Sequence, residues 1–381
     1  MKTKQFLMMA VMGLMAASCG NGDNALEEII NGGSSSGEDI PEIIAKYGFK
    51  VTDLGGTVIT ANVSELKMFN DEGGEVATAE VSDGKITIKQ TDLASVTEAA
   101  DFWFEAKVGT KDYIAKVNID PASLSTETDI TLKMATLGDL MNSDGTFSAE
   151  AEDGKTPIGV IAYLGNDAFT EAIADGGGHG LVLCLKNAAS NINWSTGTTA
   201  YELGESAKVD NADALKRTTN VSGYTNTMTL LGKDDPATNY PAAYKARTYH
   251  DLTVPTWTTG WFLPSAQQWV KMQEGLGELD ESVIVWNTWF DSDHTATDKW
   301  NTALAKAGTG KYDSMTNAAK VAQYWCSSEC NKTDAVRMAV DPNASSGAGN
   351  KCLKWAFKYK YTDGGPNDAK GEYIVRPILA F

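Results

Sequence analysis

Three residue types are scarce in this sequence. Its 381 residues include five cysteines, three histidines and four arginines, and the first arginine is Arg217. Five cysteines are too few for a disulfide scaffold, though they leave room for one bridge in an oxidising compartment. His250 and His294 have no spacing that suggests a shared site, and Cys326-x-x-x-Cys330 with no nearby His is weak for zinc. No metal or cofactor is expected. Basic residues number 32 against 50 acidic ones, a net charge of −18. Such a field repels polyanions, so nucleic acid is not an expected partner. Catalytic signatures are missing too. Gly154-Lys155-Thr156 ends like a phosphate loop, but Ala149 stands where its first Gly belongs. Gly176–Gly180, with His179 inside it, has the look of an oxyanion loop, but no G-x-S-x-G supplies a nucleophile, so it reads as a turn before the Leu181 strand. These absences argue against an enzyme.

Long apolar runs are also lacking. The run Phe6–Ala16 is too short for a membrane span, which takes ~20 residues. It follows Lys2 and Lys4 and precedes Ala16-Ala17-Ser18-Cys19. A positive start, a short apolar stretch and small residues before a cut describe a secretory signal over residues 1–18. The Cys directly after them resembles a lipobox, with Ala16 where Leu is usual. That resemblance implies lipidation at Cys19 and anchoring to the outer membrane, at the cell surface. Acyl chains hold by burying methylenes at roughly 0.8 kcal/mol each. Residues 19–40, with Gly20-Asn21-Gly22 and Asn31–Gly37, read as a flexible tether.

Residues 41–134 read as an all-β sandwich of immunoglobulin-like or transthyretin-like type. Phe102, Phe104, Ala106 and Val108 alternate with Trp103, Glu105 and Lys107, and Tyr113, Ala115, Val117 and Ile119 alternate with Ile114, Lys116 and Asn118. The two runs flank a Gly109–Asp112 turn and predict a hairpin. Further strands are expected at Thr57–Val63, Leu66–Phe69, Glu75–Val81, Lys85–Lys89 and Thr128–Met134. Nothing there suggests catalysis, so a spacer or assembly module is the reading.

Residues 135–381 have a different texture and hold nine of the ten tryptophans. Ile158–Leu164 and Leu181–Leu185 read as short buried strands. Ser265 followed by Gln268 fits a capping box before a helix, Pro264–Gly275. Thr297–Ala307 reads as a second helix. Glu372–Phe381 is an apolar strand whose Pro377 belongs at an edge or bulge.

Three segments are more specific. They are Gly260-Trp261-Phe262-Leu263-Pro264-Ser265 followed by Trp269, then Tyr324-Trp325-Cys326-Ser327-Ser328-Glu329, then Val375-Arg376-Pro377-Ile378-Leu379-Ala380-Phe381. In that order they resemble motifs of bacterial surface lipoproteins with a C-terminal C-type-lectin-like domain. Bacteroides-type fimbrial tip adhesins and the variable proteins of diversity-generating retroelements belong to that group. The resemblance covers residues 135–381 and implies an α+β C-type-lectin-like domain there. It implies cell adhesion or ligand binding, with a host or microbial glycan or protein as ligand and other pilus subunits as further partners at a fimbrium tip. A retroelement-diversified receptor is the alternative reading. A formylglycine-generating, sulfatase-modifying enzyme is a third, suggested by Cys326 and Cys330, but its R-G-G-S-W element is missing. The sugar-binding Ca²⁺ triplets of animal lectins are absent as well, so lectin-like describes fold only.

Trp261, Pro264, Trp269, Trp325 and Arg376 are read as structural. Arg376 inside an apolar strand needs a carboxylate or carbonyls for its planar fork. In the resembling proteins the ligand-facing surface lies between the second motif and the last strand. Its candidate contacts here are Glu329, Asn331, Lys332, Asp334, Arg337, Lys354, Trp355, Lys358 and Tyr359. Trp355, Phe357, Tyr359 and Tyr361 alternate with Lys354, Ala356, Lys358 and Lys360, which predicts a strand with an aromatic face and a Lys face. Exposed aromatics beside cations suit an interface. Core packing is the competing reading of the aromatic face, and it leaves the Lys face as the exposed one. Cys330 with Cys352 is a candidate disulfide and Cys326 with Cys330 another, while Cys184 reads as unpaired in a buried strand.

Overall fold

The computed structural model describes residues 46–94, 96–126, 128–168, 178–197, 200–217, 221–316, 321–341, 351–360 and 371–381. Cys19, Tyr361 and the expected signal and tether lie outside them. The fold is β-rich. Eight strands come first: β1 Lys46–Asp53, β2 Val63–Asn70, β3 Glu75–Thr78, β4 Glu80–Ser82, β5 Lys85–Lys89, β6 Ala100–Val108, β7 Lys111–Ile119 and β8 Ile130–Thr136. They pair in the order β3-β2-β6-β7-β8-β1-β5-β4. Alternate residues point to one core, with Phe49 and Val51 of β1, Leu66 and Met68 of β2, Phe104 of β6 and Leu132 and Met134 of β8 inside it. The expected β6–β7 hairpin is present, and Gly109 takes the positive φ of 61° that its tight turn needs.

Two features differ from expectation. Thr57–Asn62 is not a strand, for Val58 makes an isolated bridge, Thr60–Asn62 is a 3₁₀ turn, and the strand begins only at Val63. Thr60 Oγ1 accepts from Val51 N at 2.8 Å and donates to Val51 O at 3.2 Å, so a side chain takes the place of strand hydrogen bonds there. The second is an unexpected strand, β1, which pairs antiparallel with β5 and lies parallel to β8 from Phe49 opposite Ile130 to Asp53 opposite Met134.

The remaining strands form two further sheets. The first uses β9 Leu140–Asn142, β10 Phe147–Ser148, β11 Pro157–Leu164, β12 Gly180–Cys184 and β19 Ile378–Ala380, in the order β10-β9-β11-β12-β19. The second uses β13 Ala189–Ser190, β14 Trp289–Phe290, β15 Val321–Glu329, β16 Asp334–Val340, β17 Leu353–Tyr359 and β18 Gly371–Val375, in the order β13-β18-β15-β16-β17-β14. The described helices are α1 Ala212–Leu215, α2 Gly223–Leu231, α3 Pro236–Asn239, α4 Pro241–Arg247, α5 Ala266–Glu274 and α6 Thr295–Ala305. Ser265 starts α5 with both bonds of the capping box, Gln268 N to Ser265 Oγ at 3.2 Å and Ser265 N to Gln268 Oε1 at 3.0 Å.

The six-stranded sheet is covered on both faces. Tyr324, Cys326, Val336, Met338 and Trp355 pack into one large core with Trp269 and Trp300. Trp325, Ala335, Tyr373 and Val375 face the other way, against Trp194, Tyr240 and Ala243. β15 is thus buried on both sides, and its polar residues Gln323, Ser327, Ser328 and Glu329 are buried with the rest. Arg376-Pro377 separates β18 from β19, so Pro377 sits where the chain changes sheets. Trp103, Ile114 and Ala135 of the first eight strands share a cluster with Ile158, Trp261, Leu379 and Phe381. The boundary expected between residues 134 and 135 falls inside β8, and residues from Ile44 onward form one compact unit.

Arg376 is fully buried and makes four hydrogen bonds. Its Nε donates to Cys184 O at 2.7 Å, Nη2 to Leu185 O at 3.0 Å, and Nη1 to Asp313 O at 2.8 Å and Asn187 Oδ1 at 3.1 Å. Carbonyls and one amide oxygen, rather than a carboxylate, take the fork. We predict that Arg376→Met costs more than about 3 kcal/mol, since each orphaned buried acceptor costs roughly 1–3 kcal/mol. Arg376→Lys should restore only part, because one ammonium cannot reproduce a planar fork. Urea denaturation of the three proteins checks both.

Candidate functional site

The stretch singled out as ligand-facing is built on one hairpin and one edge. β15 and β16 are joined by Cys330–Thr333, and Asn331 organises the turn. Its Oδ1 accepts from Thr333 N at 2.8 Å and Asp334 N at 2.9 Å, and its Nδ2 donates to Asp334 Oδ2 at 2.7 Å. Such an Asx turn holds the backbone without help from the sheet. Lys332 is left exposed at the tip.

Beneath that tip lies a buried ion pair between Glu329, 1% exposed, and Lys360, 0% exposed. Lys360 has three N–H donors. They go to Glu329, to Ala200 O at 2.9 Å and to Lys332 O at 3.0 Å. Its backbone N–H donates to Thr333 O at 2.8 Å, and its ammonium sits 5.3 Å from the Trp194 ring centre. Glu329 also accepts from Glu202 N at 3.0 Å and Leu203 N at 2.8 Å. The carboxylate of Glu202 in turn accepts from Lys233 and from Tyr240 Oη at 2.8 Å. Glu329 is therefore a support under the surface, not a ligand contact, and this corrects the expectation from sequence.

β17 pairs with β16 along its whole length, but with β14 only at Leu353 and Lys354. Among the described residues no strand pairs with the outer edge of Phe357–Tyr359. The register sorts side chains between the two faces. Lys354, Lys358 and Arg337 share one face with Ala356 and Ala339, and all three cations are half-exposed. Burial, reinforced by the Arg337 charge, holds the Lys354 ammonium below its usual pKa. Trp355, Phe357 and Tyr359 share the other face with Val336 and Asp334.

The aromatic face is not uniformly core. Trp355 is fully buried, with Nε1 3.3 Å from Gln273 Oε1, whereas Phe357 is 42% and Tyr359 60% exposed. The core under this face ends at Trp355, so the next two aromatics project past it. The Lys face departs from expectation in the opposite sense, because Lys360 is interior. Of the nine expected contacts, Lys332 and Tyr359 are exposed and Asn331, Arg337, Lys354 and Lys358 are partly so. Glu329, Asp334 and Trp355 are buried and cannot touch a ligand. Phe357 belongs with the exposed set and was not singled out in the sequence. Its signal was the alternation that also placed Tyr359.

Trp261, Pro264, Trp269 and Trp325 are buried. Trp325 Nε1 donates to Ile192 O and Trp194 Nε1 to Cys326 O, both at 2.8 Å. The expected Cys330–Cys352 bridge is absent, as is one between Cys326 and Cys330. Cys184, Cys326, Cys330 and Cys352 are free and buried. The Cys352 thiol is occupied instead, 3.4 Å from Asp291 O and 3.6 Å from Thr297 Oγ1. Burial raises the Cys326 thiol well above its usual pKa and pushes Cys184, Cys330 and Cys352 up to about 12. Among the described residues no three His, Cys, Asp or Glu side chains are grouped to hold a metal ion.

No protein-family model, curated protein or solved structure matches this chain.

Two outcomes follow from this geometry. Lys360→Met leaves Glu329 buried without its cation and should cost about 3–5 kcal/mol in urea denaturation, part of which Glu329→Gln restores in the same chain. A maleimide at pH 8 should label none of Cys184, Cys326, Cys330 and Cys352 in the native protein, since protonated buried thiols are poor nucleophiles. After denaturation without reductant it should label all four, as mass spectrometry would read.

Proposed function

We propose that this chain is a lipid-anchored cell-surface binding protein of the adhesin type. In this reading the first eight strands are an immunoglobulin-like or transthyretin-like sandwich acting as a spacer or subunit-docking module. Residues 135–381 are a C-type-lectin-like head that recognises a glycan or protein ligand. Cys19 carries the acyl anchor in the outer membrane, and a pilus tip is one place where such a head would be displayed.

The observation that carries the proposal is the exposure of Phe357 and Tyr359 at an open strand edge, with Lys332 at the adjoining turn and Arg337, Lys354 and Lys358 on the opposite face of the same strands. Exposed aromatics and cations are the residue types that dominate recognition surfaces. Four cations gathered on a chain of net charge −18 favour an acidic ligand, such as a sialylated or sulfated glycan or an acidic protein segment. The buried, protonated thiols of Cys326 and Cys330 support a binder over a formylglycine-generating enzyme, which would need reactive cysteines.

The test is a screen of the full chain, in detergent, against arrays of neutral, sialylated and sulfated glycans, mucins and matrix proteins. Phe357→Ala/Tyr359→Ala should weaken any hit by at least about tenfold, near 1.4 kcal/mol. Lys354→Glu/Lys358→Glu should weaken it further at low salt than at high salt. A hit unchanged in both variants would remove the site from this edge. Cys19→Ser should abolish incorporation of a labelled fatty acid and release the protein from the membrane fraction.

A further inference from the structure

The open edge of β17 has a backbone property besides its side chains. Hydrogen-bonding direction alternates along an antiparallel strand. Lys360 N donates to Thr333 O, and Cys352 O accepts from Asp341 N, both at 2.8 Å. Even-numbered residues between them therefore turn their backbone groups towards β16, and odd-numbered residues turn theirs outward. The outward O of Trp355 is used, accepting from Asn287 N at 2.8 Å where Trp286 bridges to Trp355. Phe357 and Tyr359 come next. Their outward N–H and C=O groups have no hydrogen-bond partner among the described residues.

Native proteins blunt such edges with proline, bulges or charge. β17 has no proline and pairs with β16 without a register shift. Its two faces differ in chemistry. Phe357, 42% exposed, and Tyr359, 60% exposed, stand beside the free backbone groups on one face. Lys354 and Lys358 stand on the other, with Arg337 of β16 opposite the Ala356 between them. Small residues separate the cations across the pair, for Lys354 lies opposite Ala339 and Lys358 opposite Ala335. Burial, and then the Arg337 charge, holds the Lys354 ammonium below its usual pKa. Carboxylates laid along this face would relieve that repulsion.

We infer that this edge takes up an extended acidic segment of a partner protein as an added strand. The inference rests on the reading of the edge as a binding surface and narrows its ligand to a polypeptide. The free groups of Phe357 and Tyr359 repeat every second residue, about 6.8 Å, which is the repeat of another strand's own N–H and C=O groups. An added strand also alternates its side chains. One set lies along Phe357 and Tyr359, the other along Lys354, Lys358 and Arg337. The sequence that fits is alternately apolar and acidic, and a glycan offers no such period. A second copy of this chain fits poorly. Antiparallel pairing of two β17 edges, Phe357 with Tyr359, sets Lys358 opposite Lys358, and like charges directly opposite are destabilising.

The test is titration of the full chain, in detergent, with acetyl-Glu-Val-Glu-Phe-Glu-Val-Glu-amide, followed by calorimetry and by amide hydrogen exchange. We expect saturable one-site binding, with exchange at Phe357 and Tyr359 slowed at least about tenfold. Two control peptides should bind at least about tenfold more weakly. One has the same composition in blocks, acetyl-Glu-Glu-Glu-Glu-Val-Phe-Val-amide, and the other is the first peptide with every backbone nitrogen methylated. Tyr359→Pro removes an outward donor without touching the β16 ladder, as an edge strand tolerates, and should abolish saturation. Tyr359→Ala keeps that donor and should lose less. Lack of saturation at millimolar concentration overturns the proposal. So does equal binding of the methylated peptide, or saturation without slowed exchange at Phe357 and Tyr359. Concentration-dependent dimers that Tyr359→Pro dissolves would assign the edge to a second copy and overturn it as well. A glycan hit weakened by Phe357→Ala/Tyr359→Ala, with no peptide binding, overturns the added strand and leaves the adhesin reading standing.

Discussion

The candidate surface depends on one buried ion pair, Glu329 with Lys360. Taking both charges out of water costs several kcal/mol per ion, and their attraction offsets this only where the remaining valences are filled. Here they are filled. The ammonium has three acceptors, and the carboxylate receives two backbone N–H groups besides Lys360. Each partner belongs to a different segment: the loop of residues 200–203, the β15–β16 turn and the end of β17. An apolar pair could fill the same space, but it could not fix the relative positions of three polar backbone segments. The pair therefore acts as a specifier of geometry, and the exposed residues above it inherit that geometry.

The same support explains why alternation along β17 was only half readable. Period two correctly sorts Trp355, Phe357 and Tyr359 from Lys354, Lys358 and Lys360. It cannot say how far the cover on each face extends. On the aromatic face the core stops at Trp355. On the Lys face Trp194 and the 200–203 loop reach over the last position and enclose Lys360. Burial at a strand end is set by neighbours from distant parts of the chain, which a local pattern does not contain.

Elsewhere legibility follows the same division. The capping box at Ser265 and Gln268, the β6–β7 hairpin and the need of Arg376 for acceptors are local or follow from one side chain's chemistry, and all were readable. β1 was missed even though Tyr47, Phe49 and Val51 alternate, because its partners are distant in sequence: β5, antiparallel, ends at Lys89, and β8, parallel, begins at Ile130. The thiols misled for a related reason. Spacing made Cys330 and Cys352 a plausible bridge, but each side chain is held in its own buried surroundings, Cys352 by Asp291 and Thr297. His179 and Glu105, 74 residues apart, carried no sequence signal as a pair.

That pair also ties the first eight strands to the rest. Trp103 of β6 packs against His179 and Phe381, while the backbone N–H groups of His179 and Gly180 both donate to Phe381 O. The last residue of the sequence is thus a wedge between the first sheet and β12. A joint made of Trp, Phe and a bonded His is apolar and tightly packed, unlike the polar and mobile contacts usual between loosely linked domains. The strands from β9 onward are therefore packed directly on the first eight, with no linker between them.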